Sequence, residues 1–247
     1  MHTRRVPNEA GFSLIEMIIS MAITITIMGL ASTILAGAFN VRSREDRKSD
    51  AIADVQRALN VMTREISNSG LKLPGGLGAV STNGVVANDS DSQSIRIVSN
   101  LNGMPEAANG YAEDADLNDA DEDIKFLMYV DATLGQRYIV RYEKNATNQT
   151  TVLANRVDSL IFRYYDEKVT YDTIVNTVNG NKVCDITNVK NAAGSNKTEV
   201  SPGNAKFVVI AVGVTLPAVG VRGAEGYQPA SEVQLTSDVV LRNSIDY

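Results

Sequence analysis

A chain of 247 residues that is 44% hydrophobic has ample apolar material for a buried core in one or two domains. Its formal charge of −6 and acidic isoelectric point of about 4.9 exclude a general nucleic-acid surface, which would be basic. Cys184 is the only cysteine, so no intramolecular disulfide can form and stability has to come from packing, a metal or neighbouring subunits.

In chain order, the first element is a short basic leader with Arg4 and Arg5, ending at Gly11. Phe12-Ser13-Leu14-Ile15-Glu16 follows, and from Met17 to Val41 there is no charged residue. As a helix rising about 1.5 Å per residue, that uncharged run covers roughly 38 Å, enough to cross a bilayer core of about 30 Å. Glu16 is the anomaly, because a carboxylate in hydrocarbon costs on the order of 2.5–3.5 kcal/mol and its retention points to a partner cation.

Two plainer readings compete. In a secretory signal peptide, Ala36-Gly37-Ala38 would supply the small-residue cleavage site, but the apolar run is about twice the usual roughly 7–15 residues and carries Glu16 near its start. A single-pass anchor explains the length and leaves both Glu16 and the Gly11-Phe12 junction unexplained. Basic residues also follow the run, at Arg42, Arg44, Arg47 and Lys48. Their count alone favours the opposite orientation by the positive-inside rule, and the motif is given precedence.

Gly11 followed by Phe12-Ser13-Leu14-Ile15-Glu16 and a long apolar helix resembles the class III signal of type IV prepilins and type II secretion pseudopilins. The resemblance implies cleavage between Gly11 and Phe12 by a prepilin peptidase, with N-methylation of Phe12. It also implies an assembly role for Glu16, whose carboxylate would neutralise the terminal amine of a neighbouring subunit. That division makes 1–11 the leader, 12–41 the transmembrane and assembly half of the helix, 42–70 its amphipathic half and 71–247 a periplasmic or extracellular β-rich domain. The implied partners are other minor and major pilin subunits, the peptidase, the inner-membrane assembly platform and the membrane, with no nucleic acid. The implied location is the inner membrane, single-pass with a cytoplasmic N-terminus, and after assembly a surface pilus. Since His2 falls in the leader, the processed chain would hold no histidine, which removes histidine-based acid/base chemistry and the commonest zinc sites.

Beyond the apolar run, Ile52, Val55, Leu59, Met62 and Ile66 recur at spacings of three and four, and Asp50, Asp54, Arg57, Arg64 and Glu65 occupy the other face. One helix of about 55 residues is predicted, far beyond the globular norm of roughly 11–12, ending near Asn68-Ser69-Gly70 with Gly70 in a left-handed conformation. After a loop from Leu73-Pro74-Gly75-Gly76, strands are predicted at 94–99, 124–131, 136–143, 159–165, 207–216 and 233–241, with a turn at Thr133-Leu134-Gly135. Asn100–Glu122 and Asn188–Asn204 are predicted surface loops. The expected fold class is therefore an α+β pilin fold, a long membrane-spanning helix packed on an antiparallel sheet.

Phe162-Arg163-Tyr164-Tyr165-Asp166 and Val239-Val240-Leu241-Arg242-Asn243 resemble strands of PilW-type minor pilins and of J-type pseudopilins, and read equally well as simple amphipathic strands. Chain length favours a minor subunit over a major one. The PilW-type reading leads, with a J-type minor pseudopilin as the alternative and a membrane-anchored periplasmic binding domain or enzyme from another class behind both. The residues assemble into no catalytic constellation: there is no phosphate-binding glycine motif and no recognisable carboxylate pair. No cofactor is implied beyond calcium, for which Asp114, Asp116 and Asn118 have the alternate spacing of oxygen ligands. Asp119 stands where an EF-hand needs glycine and Lys125 where it needs glutamate, so a solvated acidic loop is the competing reading. Cys184, in the alternating stretch Lys182–Ile186, reads as a small buried hydrophobe.

Overall fold

The structure, a computed structural model, describes residues 12–73, 80–101, 116–147, 149–178, 180–224 and 226–244. It combines one long N-terminal helix, α1 (Leu14–Ser67), with antiparallel sheets, an α+β layout. By backbone contacts the chain divides into two units, Met1–Asp46 with Pro217–Pro229, and Arg47–Leu216 with Ala230–Tyr247, and α1 contributes to both.

Among the described residues of the second unit, nine strands form three sheets. β1 (Ser94–Val98), β2 (Asp123–Val130), β3 (Arg137–Glu143) and β4 (Thr150–Asn155) pair in sequence order. β8 (Phe207–Leu216) lies between β5 (Ser159–Tyr165) and β9 (Ser231–Val240), and β6 (Val169–Val178) pairs with β7 (Asn181–Asn191) as a long hairpin. Every pairing is antiparallel. The predicted turn at Thr133-Leu134-Gly135 joins β2 to β3, where Asp131 Oδ1 accepts from the N–H groups of Thr133 and Leu134 and Gly135 takes φ +62°.

The helix periodicity explains the core. Val55, Ala58, Leu59, Met62 and Ile66 share one cluster with Phe126 and Ile139 of the four-stranded sheet and Phe162 and Ile210 of the three-stranded one. Each such large side chain contributes about 1.5–3 kcal/mol on burial. β8 is buried on both faces: Val208, Ile210, Val212 and Val214 enter that cluster, while Phe207, Val209 and Ala211 face Val169, Ile186 and Cys184 of the hairpin. That double burial is why Phe207–Leu216 is almost continuously apolar.

The chain leaves α1 through a close backbone crossing. After Ser67, Gly70 takes φ +78° and its N–H donates to the Val98 carbonyl at 2.9 Å. Gly84, at φ +77°, lies so close that a Cβ built on it would stand 1.9 Å from Gly70 N. Only glycine fits there on both conformational and steric grounds.

The strands predicted at 94–99, 124–131, 136–143, 159–165, 207–216 and 233–241 are found as β1, β2, β3, β5, β8 and β9 with end shifts of a residue or two. Strands β4, β6 and β7 are additional, and β7 runs through Asn188–Asn191, which the sequence assigned to a surface loop. Its alternating Thr, Asn and Lys residues look like loop composition because one side of the hairpin is solvated.

In the first unit, α1 is exposed from Leu14 to Ala36, and the β8–β9 connection Pro217–Pro229 packs on it from Gly37 onward.

Candidate functional site

The leading site residues belong to the start of α1. Phe12 precedes the helix and is 80% exposed. The Ser13 carbonyl accepts the first helical hydrogen bonds, from Glu16 N at 3.0 Å and Met17 N at 3.2 Å, so Glu16 falls in the first turn. The Ser13-x-x-Glu16 spacing is also that of a capping box, and a carboxylate in that turn complements the positive end of the helix dipole by about 0.3–1 kcal/mol. That local role was missed by reading Glu16 only as a membrane anomaly. Glu16 is exposed and forms no ion pair among the described residues. Gly11 lies outside the described residues.

The rest of the exposed half of α1 is suited to hydrocarbon. Its hydroxyl groups are closed onto backbone carbonyls one turn back: Ser20 onto Met17 at 3.0 Å, Thr24 onto Ser20 at 2.7 Å, Thr26 onto Ala22 at 2.8 Å, Ser32 onto Met28 at 2.8 Å and Thr33 onto Leu30 at 2.8 Å. Backbone and hydroxyl groups are thereby satisfied within the segment, the condition for a stable helix in lipid. Ile15, Ile19, Ile23, Ile27, Leu30 and Ile34 are all exposed by half or more. Among the described residues α1 is the one helix long and apolar enough to cross a membrane, compatible with a single N-terminal anchor.

Of the calcium candidates, Asp114 lies outside the described residues. Asp116 and Asn118 are exposed, and the Asp116 side chain accepts from Asn118 N–H at 3.0 Å, an Asx turn. Asn145 Nδ2 donates to the carbonyls of Leu117 at 2.7 Å and Asp119 at 3.1 Å, tying that loop to the chain beyond β3. Among the described residues, no group of three or more acidic, Cys or His side chains is placed to hold a metal.

The densest charge cluster was not anticipated. Arg141 on β3 is 8% exposed and donates to Glu65 of α1 at 2.8 Å, to Glu143 at 2.6 Å and to Asp121. Burial works against ionisation of Glu143, but the hydrogen bonds from Arg141 and from Asp121 N–H outweigh it, holding its carboxyl below the ordinary 4.5. A neighbouring network joins Arg96 to Asp123 at 2.7 Å and to Asp89 at 3.2 Å. The signal for Arg141 was parity: it shares a strand face with Ile139, a core residue, and therefore had to point inward. A cavity of about 260 Å³ beside Glu65 and Asp121 falls below the size of ligand pockets, which run from about 300 Å³.

Cys184 is buried, and burial first, then the Asp185 carboxylate, pushes its thiol up to about 11, far from a reactive thiolate. Tyr164 is buried with its hydroxyl donating to the Asp91 carbonyl at 3.0 Å, and Tyr165 is buried in the β8 outer cluster, so both pack the sheets. Arg163, between them, reaches Asp185 of the hairpin at 2.9 Å and Glu199 at 3.0 Å.

No protein-family model, curated protein or solved structure matches this chain.

Proposed function

We propose that this chain is a minor type IV pilin of the PilW kind, held in the inner membrane by α1 and drawn from there into a pilus whose assembly it helps initiate or decorate. The reading rests on one combination: a single carboxylate, Glu16, in the first turn of a helix whose following twenty residues, 17–36, are exposed, uncharged and internally hydrogen-bonded, directly after the Gly11-Phe12 junction. A bare anchor needs no such carboxylate, and an unpaired one is disfavoured in lipid. A neighbouring subunit's terminal amine would supply the cation.

Under this reading prepilin peptidase cuts after Gly11, Phe12 becomes the methylated terminus, and the second half of α1 carries the β-domain to the periplasmic side and then the cell surface. The partners are other minor and major pilins and the inner-membrane assembly platform, and the role is structural, without catalysis. Mass spectrometry of the protein isolated from membranes tests it. An N-methylated Phe12 is expected, whereas an intact Met1 would mean a plain anchor and a terminus at Phe39 a signal peptide. Cross-linking then identifies the neighbours: pilus subunits support the proposal, and secretion-system pseudopilins would assign the chain to the J-type class instead.

A further inference from the structure

The Pro217–Pro229 connection between β8 and β9 is a folded loop that meets α1 where the apolar run ends. Val219 and Gln228 exchange backbone hydrogen bonds at 2.9 Å in both directions, and Ala224 N–H donates to the Val221 carbonyl at 2.9 Å. Gly226, at φ +77°, sits against the helix backbone so tightly that a Cβ built on it would stand 2.6 Å from Gly37 Cα. Asn40 Nδ2 lies beside Gly220, and Arg44 donates to the Pro229 carbonyl. Gly37, buried between the exposed Ala36 and Ala38, is thus the seat of this loop.

The position of that seat has a length consequence. Leu14–Ala36, the part of α1 that the loop leaves bare, rises about 34 Å, close to the roughly 30 Å of a bilayer core with a modest tilt. The loop therefore begins where the hydrocarbon would end. Its tip carries Val221, 75% exposed, next to the exposed Arg222, and Phe39 and Arg42 on α1 repeat the same pairing of an exposed apolar residue with a cation. An apolar side chain beside a cation suits the boundary between acyl chains and phosphate headgroups, where the first enters lipid and the second reaches the phosphates.

We propose that the Pro217–Pro229 loop is a membrane-interface collar, with Val221 and Arg222 seated in the phospholipid headgroup region of the leaflet facing the β-domain. The proposal rests on α1 spanning the bilayer, and the experiment separates the two. The chain contains no tryptophan, so single tryptophans report cleanly. Three variants of the full chain, I25W in the bare run, V221W in the collar and V152W on the exposed edge strand β4, are reconstituted into vesicles of phosphatidylethanolamine and phosphatidylglycerol. Their fluorescence is quenched by lipids brominated near the headgroup or deep in the acyl chains, or by aqueous acrylamide.

The expected result is V221W quenched about twofold more by the shallow than by the deep bromolipid, as for side chains buried about 5–10 Å into the interface, with I25W showing the reverse and V152W responding to acrylamide alone. If I25W responds to deep bromolipid while V221W responds only to acrylamide, the collar is wrong and the membrane-spanning helix stands. If I25W is not quenched by either lipid, the spanning helix fails and the collar with it. Adding G226V to V221W should push the loop off Gly37 and abolish the shallow quenching. Retained quenching would overturn the glycine seat, and should that double variant not fold, V221W in the unaltered backbone decides.

Discussion

Arg141 of β3 and Glu65 of α1 meet at 2.8 Å where both side chains are more than four-fifths buried, and this contact ties the long helix to the four-stranded sheet by charge as well as by packing. The same guanidinium serves Glu143 at 2.6 Å and Asp121, so one cation holds three carboxylates from different parts of the chain.

Removing that cation leaves buried carboxylates without compensation. Arg141→Met should therefore lower stability by about 3–5 kcal/mol in urea unfolding, as for other buried pairs that lose one member. Glu65→Gln should cost less, since two carboxylates remain on the arginine. In a double-mutant cycle the two changes should show clear coupling, and additive effects would mean that the contact contributes nothing.

The pH dependence follows with a definite sign. Glu143 is held below its ordinary 4.5 because its bonds to Arg141 and to Asp121 N–H exceed the burial penalty, and Asp89 is held below its ordinary 3.8 because Lys125 and Arg96 outweigh its partial burial. A depressed carboxyl stabilises the fold fully above its unfolded value, and that contribution disappears as pH falls through the folded one. The urea midpoint should thus hold steady from neutral pH to about 4.5 and decline below it. In Arg141→Met the burial penalty on Glu143 is opposed mainly by the Asp121 N–H bond, so protonation costs less than in the parent, and the gap between variant and parent should narrow in acid. A gap that stays constant across the range would remove the network from the acid response.

Gly84→Ala tests the crossing under the end of α1. Its φ of +77° and the 1.9 Å approach to Gly70 N leave a methyl no place, and the obstructing atoms are backbone. Strain of about 1–3 kcal/mol adds to an overpacking cost of similar size, so a loss of roughly 2–6 kcal/mol is expected by thermal or urea unfolding. The exposed Gly135, with nothing within 4 Å, should accept alanine at the cost of its positive φ alone.

The contrast between β8 and the β6–β7 hairpin explains what the amino-acid pattern could reveal. Phe207–Leu216 is buried on both faces and therefore shows itself as an apolar run, and Val55, Leu59, Met62 and Ile66 show the helical period because one face alone is buried. Val169–Val178 and Asn181–Asn191 bury little beyond Val169 and Cys184, so their Thr, Asn and Lys content resembles a loop, and only pairing with each other makes them strands. β4, a short edge strand, carries too few apolar residues for a period to register. At the site level, Phe12 and Glu16 are legible because an uncharged neighbourhood isolates them. The Arg141 cluster is not, since its carboxylates come from positions 65, 121 and 143 and only the fold gathers them. The seat at Gly37 was equally hidden: the sequence offered Ala36-Gly37-Ala38 as a cleavage signal, whereas the bare backbone of Gly37 admits a loop more than 180 residues away.

The calcium reading of Asp114, Asp116 and Asn118 has a simple thermal test. A cation that binds the folded loop stabilises it by RT ln(1 + [L]/Kd), so melting in millimolar calcium should exceed melting in chelator. Asp116→Asn should abolish the difference. Coincident melting curves for the parent would reduce the acidic run to a solvated loop, with the Asx turn at Asp116 and the Asn145 bonds sufficient to order it.

Glu16→Gln separates the two roles open to this carboxylate. Glutamine keeps the shape and still suits the first helical turn, so the capping contribution falls by less than about 1 kcal/mol and membrane levels should be unchanged. The pairing role is different, because a neighbouring subunit's terminal amine would then stand in a low-dielectric environment without its counter-charge, at a cost of about 3–5 kcal/mol. Quantifying the subunit in sheared filaments against total membrane protein should therefore show a sharp drop for Glu16→Gln, while Ser20→Ala, which removes a hydroxyl already bonded to its own helix at Met17, should incorporate normally. If the glutamine variant enters filaments as well as the parent, Glu16 is a helix-capping residue and no more, and the proposed assembly role falls.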